Sequence, residues 1–120
     1  LTISDVNEYD SRIMNIPTAS EVTVVAFSTA VAAGTFISGD MKYLQIINKD
    51  TVNYARIRCK KNGADTFDQR LDAGKPFIIG NTKLSTSETA VAFATFQDAD
   101  SISMQAYGGE VAIEYVVVSI

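Results

Sequence analysis

From Glu21 onward, apolar and polar side chains alternate in short runs, each closed by a turn signal. Successive side chains of a strand point to opposite faces, so this period of two predicts strand after strand. Residues 53–60 are the cleanest case, with Ala55, Ile57 and Cys59 on one face and Tyr54, Arg56, Arg58 and Lys60 on the other. Residues 21–27 read as a strand apolar on both faces, 35–38 as a short strand, and 41–48 as the next. Gly39-Asp40 and Lys49-Asp50 supply the breaks. Residues 77–79 form a short buried strand after the Asp72-Ala73-Gly74-Lys75-Pro76 turn, and 89–96 another, with small residues on one face. Residues 101–107 and 110–120 end the series.

Register follows from the same alternation. Asn62-Gly63 is a strong hairpin signal. A two-residue loop there sets Ile57 opposite Asp68 and mixes the faces. A three-residue loop, 62–64, pairs Cys59 with Phe67, Ile57 with Gln69 and Ala55 with Leu71, and sets Arg58 opposite Asp68, so the longer loop is expected. Across Gly108-Gly109 a second hairpin is expected, pairing Ala106 with Val111, Met104 with Ile113 and Ile102 with Tyr115. The expected core is Ile57, Phe67, Leu71, Phe93, Ile102, Met104, Ile113 and Tyr115.

Residues 1–19 break the pattern. Val6, Tyr9, Ile13 and Ile16 approximate helical spacing, but Asn7, Ser11, Asn15 and Pro17 weaken a helix. The segment reads as an extended arm or short helical turn ahead of a domain spanning 20–120. An N-terminal strand or a disordered lead-in is the alternative. Short strands with turns every eight to twelve residues predict an all-β fold: an antiparallel β-sandwich, jelly-roll-like, with an extended N-terminal arm.

Composition agrees. The 120 residues hold 12 Ile, 11 Val and 11 Thr but 4 Leu, and β-branched side chains favour the pleated surface. The absence of His removes the commonest catalytic base and the imidazole metal ligand. The single Cys59 can form neither an internal disulfide nor a thiolate cage. No cofactor, metal or catalytic residue is therefore expected, and the chain reads as a non-enzyme. A net charge of −4 disfavours nucleic acid as a partner. No apolar run approaches the roughly 20 residues of a membrane-spanning helix. No secretory signal opens the chain, and its start at Leu1 leaves room for preceding residues.

Few constellations carry chemistry. Asp98 and Asp100 could offer calcium ligands, but an EF-hand loop counted from Asp98 places Ser103 and Gly109 where Gly and Glu belong, so a solvated turn is expected. Arg56, Arg58, Lys60 and Lys61 form a basic stripe. It reads either as a solvated strand face partly neutralised by Asp65 and Asp68, or as a contact for an acidic protein surface. Tyr43, Tyr54 and Tyr107 could stack on a sugar. Glu21, Glu88, Glu110 and Glu114 stand in no recognisable glycosidase setting.

The stretch from Tyr43 to Ile79 runs strand, Asn48-Lys49-Asp50, strand, Asn62-Gly63, strand, then Leu71-Asp72-Ala73-Gly74-Lys75-Pro76-Phe77. In this order it resembles small β-sandwich auxiliary virion proteins of tailed bacteriophages, including capsid decoration (cement) proteins. The resemblance implies a sandwich on the outer capsid surface of the virion, often a homotrimer, bridging and stabilising subunits of the major capsid protein. The partner-binding residues expected here are Val6, Tyr9, Ile13 and Ile16 of the arm and Arg56, Arg58 and Lys60 of the stripe. A phage tail or neck component and a small carbohydrate-binding module are the alternatives.

Overall fold

The computed structural model describes residues 2, 8–28, 34–61, 64–84, 95 and 99–119. Their strands are β1 (Glu8–Ile16), β2 (Val22–Ser28), β3 (Phe36–Ile37), β4 (Met41–Asn48), β5 (Tyr54–Lys61), β6 (Ala64–Leu71), β7 (Pro76–Ile79), β8 (Ser101–Tyr107) and β9 (Val111–Ser119). One 3-10 turn, Ser38–Asp40, is the sole helical element among these residues. The abundance of β-branched side chains over Leu is thus spent on pleated surface, as composition predicts.

The strands form two packed sheets, ordered β1-β9-β4-β7 and β3-β2-β8-β5-β6. Four antiparallel pairs nest inside one another: β5 with β6, β4 with β7, β2 with β8, and β1 with β9. All are centred near residues 62–63, as though one long hairpin had been rolled up. Rolling adds the contacts β4–β9 and β5–β8 and divides the pairs between the sheets, which is the jelly-roll arrangement. Strand β3 is an addition at the edge, parallel to β2.

Residues 8–16 correct the reading of an arm. They form β1, paired along all nine residues with β9, so this part of the segment belongs to the sandwich. Alternation of period two runs through it, with Met14 and Ile16 turned inward and Tyr9 and Ile13 outward, beneath the misleading three-residue spacing. Val6 lies outside the described residues.

The hairpin expected across Gly108-Gly109 is also corrected. Strand β8 lies in one sheet and β9 in the other, so the turn carries the chain between layers. Ile102, Met104 and Ala106 share one core with Val111, Ile113 and Tyr115 from opposite sheets, where a hairpin would set them side by side.

The β5–β6 pairs appear as expected, Ala55 with Leu71, Ile57 with Gln69, Arg58 with Asp68 and Cys59 with Phe67. A different loop produces them. Lys61 pairs with Ala64 and Lys60 with Asp65, and a register shift beyond Cys59 restores the faces. A two-residue connection plus a bulge does the work of the three-residue loop.

Of the expected core, Ile57, Leu71, Ile102, Met104, Ile113 and Tyr115 are buried. Phe67 is corrected, being 41% exposed. It sits on β6, an edge strand whose counterpart edge in the other sheet is the four-residue β7, too short to cover it. Phe93, and the strand expected over 89–96 apart from Thr95, lie outside the described residues.

One buried polar side chain holds the turn after β4. Asn48 Nδ2 donates to the carbonyls of Asn53 (3.0 Å) and Leu71 (3.1 Å), while its Oδ1 accepts from Asp50 N at 2.8 Å. Asn53 in turn presses its amide against the Gly108-Gly109 turn, where a Cβ on either glycine would come within 2.7 Å of it. Gly108 also has a φ of +86°, which side chains disfavour.

Candidate functional site

The outer face of the β1-β9-β4-β7 sheet is unusually apolar. Its register lines up three rows across the strands: Tyr9, Val118, Tyr43; then Ser11, Val116, Gln45, Ile78; then Ile13, Glu114, Ile47, Pro76. Tyr9 is 65%, Ile13 66% and Ile78 53% exposed, all large side chains left to water. Two polar contacts lie within the face. Tyr43 Oη donates to Gln45 Oε1 at 2.5 Å, and Lys49 Nζ stands 3.8 Å from the Glu114 carboxylate. Polar atoms paired in this way are desolvated at smaller cost than unpaired ones.

Strand β1 reverses the usual placement of its charges. Asp10 lines the space between the sheets and accepts a hydrogen bond from Tyr115 Oη at 3.1 Å. Burial, and then Asp10, raises the Tyr115 pKa above the ordinary phenol value. Asp10, Arg12, Met14, Thr35, Phe36 and Tyr115 help to line a cleft of about 470 Å³ between β1 and the β2–β3 edge. Charges on the inner side of an edge strand discourage uncontrolled edge pairing. The edge is guarded while the face is open.

The opposite sheet carries the basic stripe, already partnered. Arg58 and Lys60 both pair with Glu21, the Lys60 contact being 2.5 Å. Burial opposes ionisation of Glu21, but hydrogen bonds and charge from Lys60 and Arg58 prevail and hold its pKa below the usual carboxylate value. Arg56 lies 3.7 Å from Asp68, and Arg70 2.5 Å from Asp72. Tyr54 and Tyr107 stack at 5.3 Å, with Arg70 3.9 Å over Tyr54 and Arg56 5.9 Å from Tyr107. With Asp68 and Gln69 these side chains border a shallow hollow of about 350 Å³. Arginine covering Tyr54 leaves a poorer sugar platform than a bare ring, and Tyr43 lies on the other sheet.

The structure therefore separates the expected partner-binding residues. Tyr9 and Ile13 stand on the apolar face; Ile16 is fully buried beneath it and belongs to the core. Arg56, Arg58 and Lys60 lie on the opposite layer, engaged with acidic neighbours. Sequence reasoning missed Ile47, Ile78 and Val116 as surface, and offered Tyr43 only as a ring that could stack on a sugar. Consecutive apolar residues, as in 77–79 and 116–118, were the available signal, since a strand apolar on both faces must expose one unless something covers it.

Cys59 is buried, Asp98 lies outside the described residues, and Asp100 is exposed. Among the described residues no group of three His, Cys, Asp or Glu could hold a metal, and no helix is long and apolar enough to cross a membrane.

No protein-family model and no curated protein matches the chain. A solved structure from the disulfide-linked pili of Bacillus endospore appendages is similar at 13% identity, covering 94% of this chain and 88% of that one, with a TM-score of 0.46.

Proposed function

We propose that the chain is a non-enzymatic viral structural protein, a capsid decoration protein that sits on the outer shell and bridges subunits of the major capsid protein. The observation that carries the reading is the open apolar face of Tyr9, Ile13, Ile47, Ile78 and Val116 on the sandwich. In this mechanism the jelly roll is a rigid block. Adhesion comes from a sheet face, with β1 contributing its outward side chains as part of that face. Many copies on a lattice convert modest single contacts into strong shell stabilisation. Neither nucleic acid nor membrane enters the mechanism, and no cofactor is required.

The test mixes the purified chain with shells assembled from tailed-phage major capsid proteins. Binding at hundreds of copies per shell, with a raised temperature of shell disruption, is the expected result. No affinity for the shell would overturn the assignment and leave a tail or neck component as the leading reading. The Tyr54–Tyr107 stack and its hollow favour a second reading, a small carbohydrate-binding module. It requires glycan binding that Tyr107→Ala abolishes.

A further inference from the structure

We propose that the outer face of the β1-β9-β4-β7 sheet is an interface between two copies of this chain, packed face to face about a twofold axis. The inference rests on the structural-protein reading and adds that, in the free protein, a second copy covers the face that the shell takes up on binding. The four strands lie about 4.8 Å apart and, at about 3.4 Å per residue over nine, nine, eight and four residues, cover roughly 490 Å². Two such faces in contact remove on the order of 1,000 Å² from water before corrugation is counted, at the bottom of the range for a specific interface and above ordinary packing contacts.

Charge points to the same occupant. The ionic groups at this face, Lys49 and Glu114, pair with each other. A strongly acidic or basic partner would therefore find little counter-charge to engage. A second copy brings a surface that is equally apolar, with the same Lys49–Glu114 pair, so docking like on like strands neither of these charges. A twofold axis also asks for self-complementarity, which a near-neutral aliphatic and aromatic face meets more easily than a patterned ionic one. Each copy still carries −4 overall, so long-range repulsion opposes the encounter and salt relieves it. Sheets packing this way lie about 10 Å apart, a spacing that Ile13, Ile47 and Ile78 can fill.

Sedimentation equilibrium of the full chain tests the proposal, across concentrations up to about 100 μM and from low to high salt. The wild type is expected to be dimeric, with association tightening as salt rises. Ile13→Lys and Ile78→Glu should each weaken it at least about tenfold. Both positions are more than half exposed in the single chain, so their circular dichroism should remain native and their melting should match the wild type's at concentrations where it is monomeric. Arg70→Ala, on the opposite sheet, should leave association unchanged. A wild type that stays monomeric, or variants that dimerise undiminished, would overturn the inference. Should the monomeric wild type bind shells and Ile13→Lys abolish that binding, the face belongs to the shell and the copy–copy interface falls while the decoration reading stands. A sensitive dimer without shell affinity sinks the decoration reading and supports the interface.

Discussion

Ile113→Ala tests the layer assignment at its centre. Ile113 is fully buried on β9, which β1 flanks on one side and β4 on the other. Truncation removes three carbon groups, and at about 0.8 kcal/mol each the lost transfer term is ~2.4 kcal/mol. Backbone pairing on both sides limits collapse. If most of roughly 75 Å³ stays empty, a cavity cost of about 24 cal/mol per Å³ adds up to ~1.8 kcal/mol. The expected loss is therefore about 2.5–4 kcal/mol. Ile13→Ala, on the outward face of β1, removes the same groups from a side chain already two-thirds in water and should cost under about 1 kcal/mol. Urea denaturation at a protein concentration low enough to keep the chain monomeric measures both, with the slope m checked for constancy. Equal losses for the two isoleucines, or a loss below about 1 kcal/mol at Ile113, would refute the assignment of inner and outer faces.

Asn48→Asp should cost about 3 kcal/mol or more at neutral pH, because an ionised carboxylate cannot donate to the Leu71 and Asn53 carbonyls and is buried beside them. Its folded pKa is then raised, so chemical denaturation should show the penalty shrinking as pH falls through that value. Glu21→Gln should cost about 1 kcal/mol at pH 7. The native pKa of Glu21 is lowered, so its contribution is present above the unfolded carboxylate value and lost as pH falls through the folded one. Melting curves of wild type and variant should accordingly converge in acid, and a constant gap would contradict the Glu21–Arg58–Lys60 network.

Local features of the fold were legible wherever a pattern decides between two alternatives. The partners along 55–59 and 67–71 follow from alternation, because a slip exchanges Ile57 and Cys59 for Arg56 and Arg58 on the buried side. Alternation cannot say which layer a strand joins. Ile102, Met104, Val111 and Ile113 face the core equally well as hairpin partners or as opposite walls, and the rolled topology chooses the walls. Phe67 shows a further limit, since an inward position at an edge buries a side chain only if the facing sheet reaches that far. The apolar face was half legible. Tyr9 and Ile13 lacked an internal home in sequence, but their union with Ile47, Ile78 and Val116 depends on three nonlocal pairings.

The nesting of the strand pairs also shapes how the chain folds. Closing β1 onto β9 in an open chain ties off a loop of roughly ninety residues. Once β2 and β8 are paired, the same step spans only the short connections on either side. Loop closure grows as about (3/2)RT ln n, so the second route is easier by about 2 kcal/mol. Each inner pair thus prepares the next, and the slow search typical of nonlocal β pairing becomes a progression outward from residues 62–63. Strand β1 closes last in this order, so a partner seated on the face of Tyr9 and Ile13 clamps the final turn of the roll.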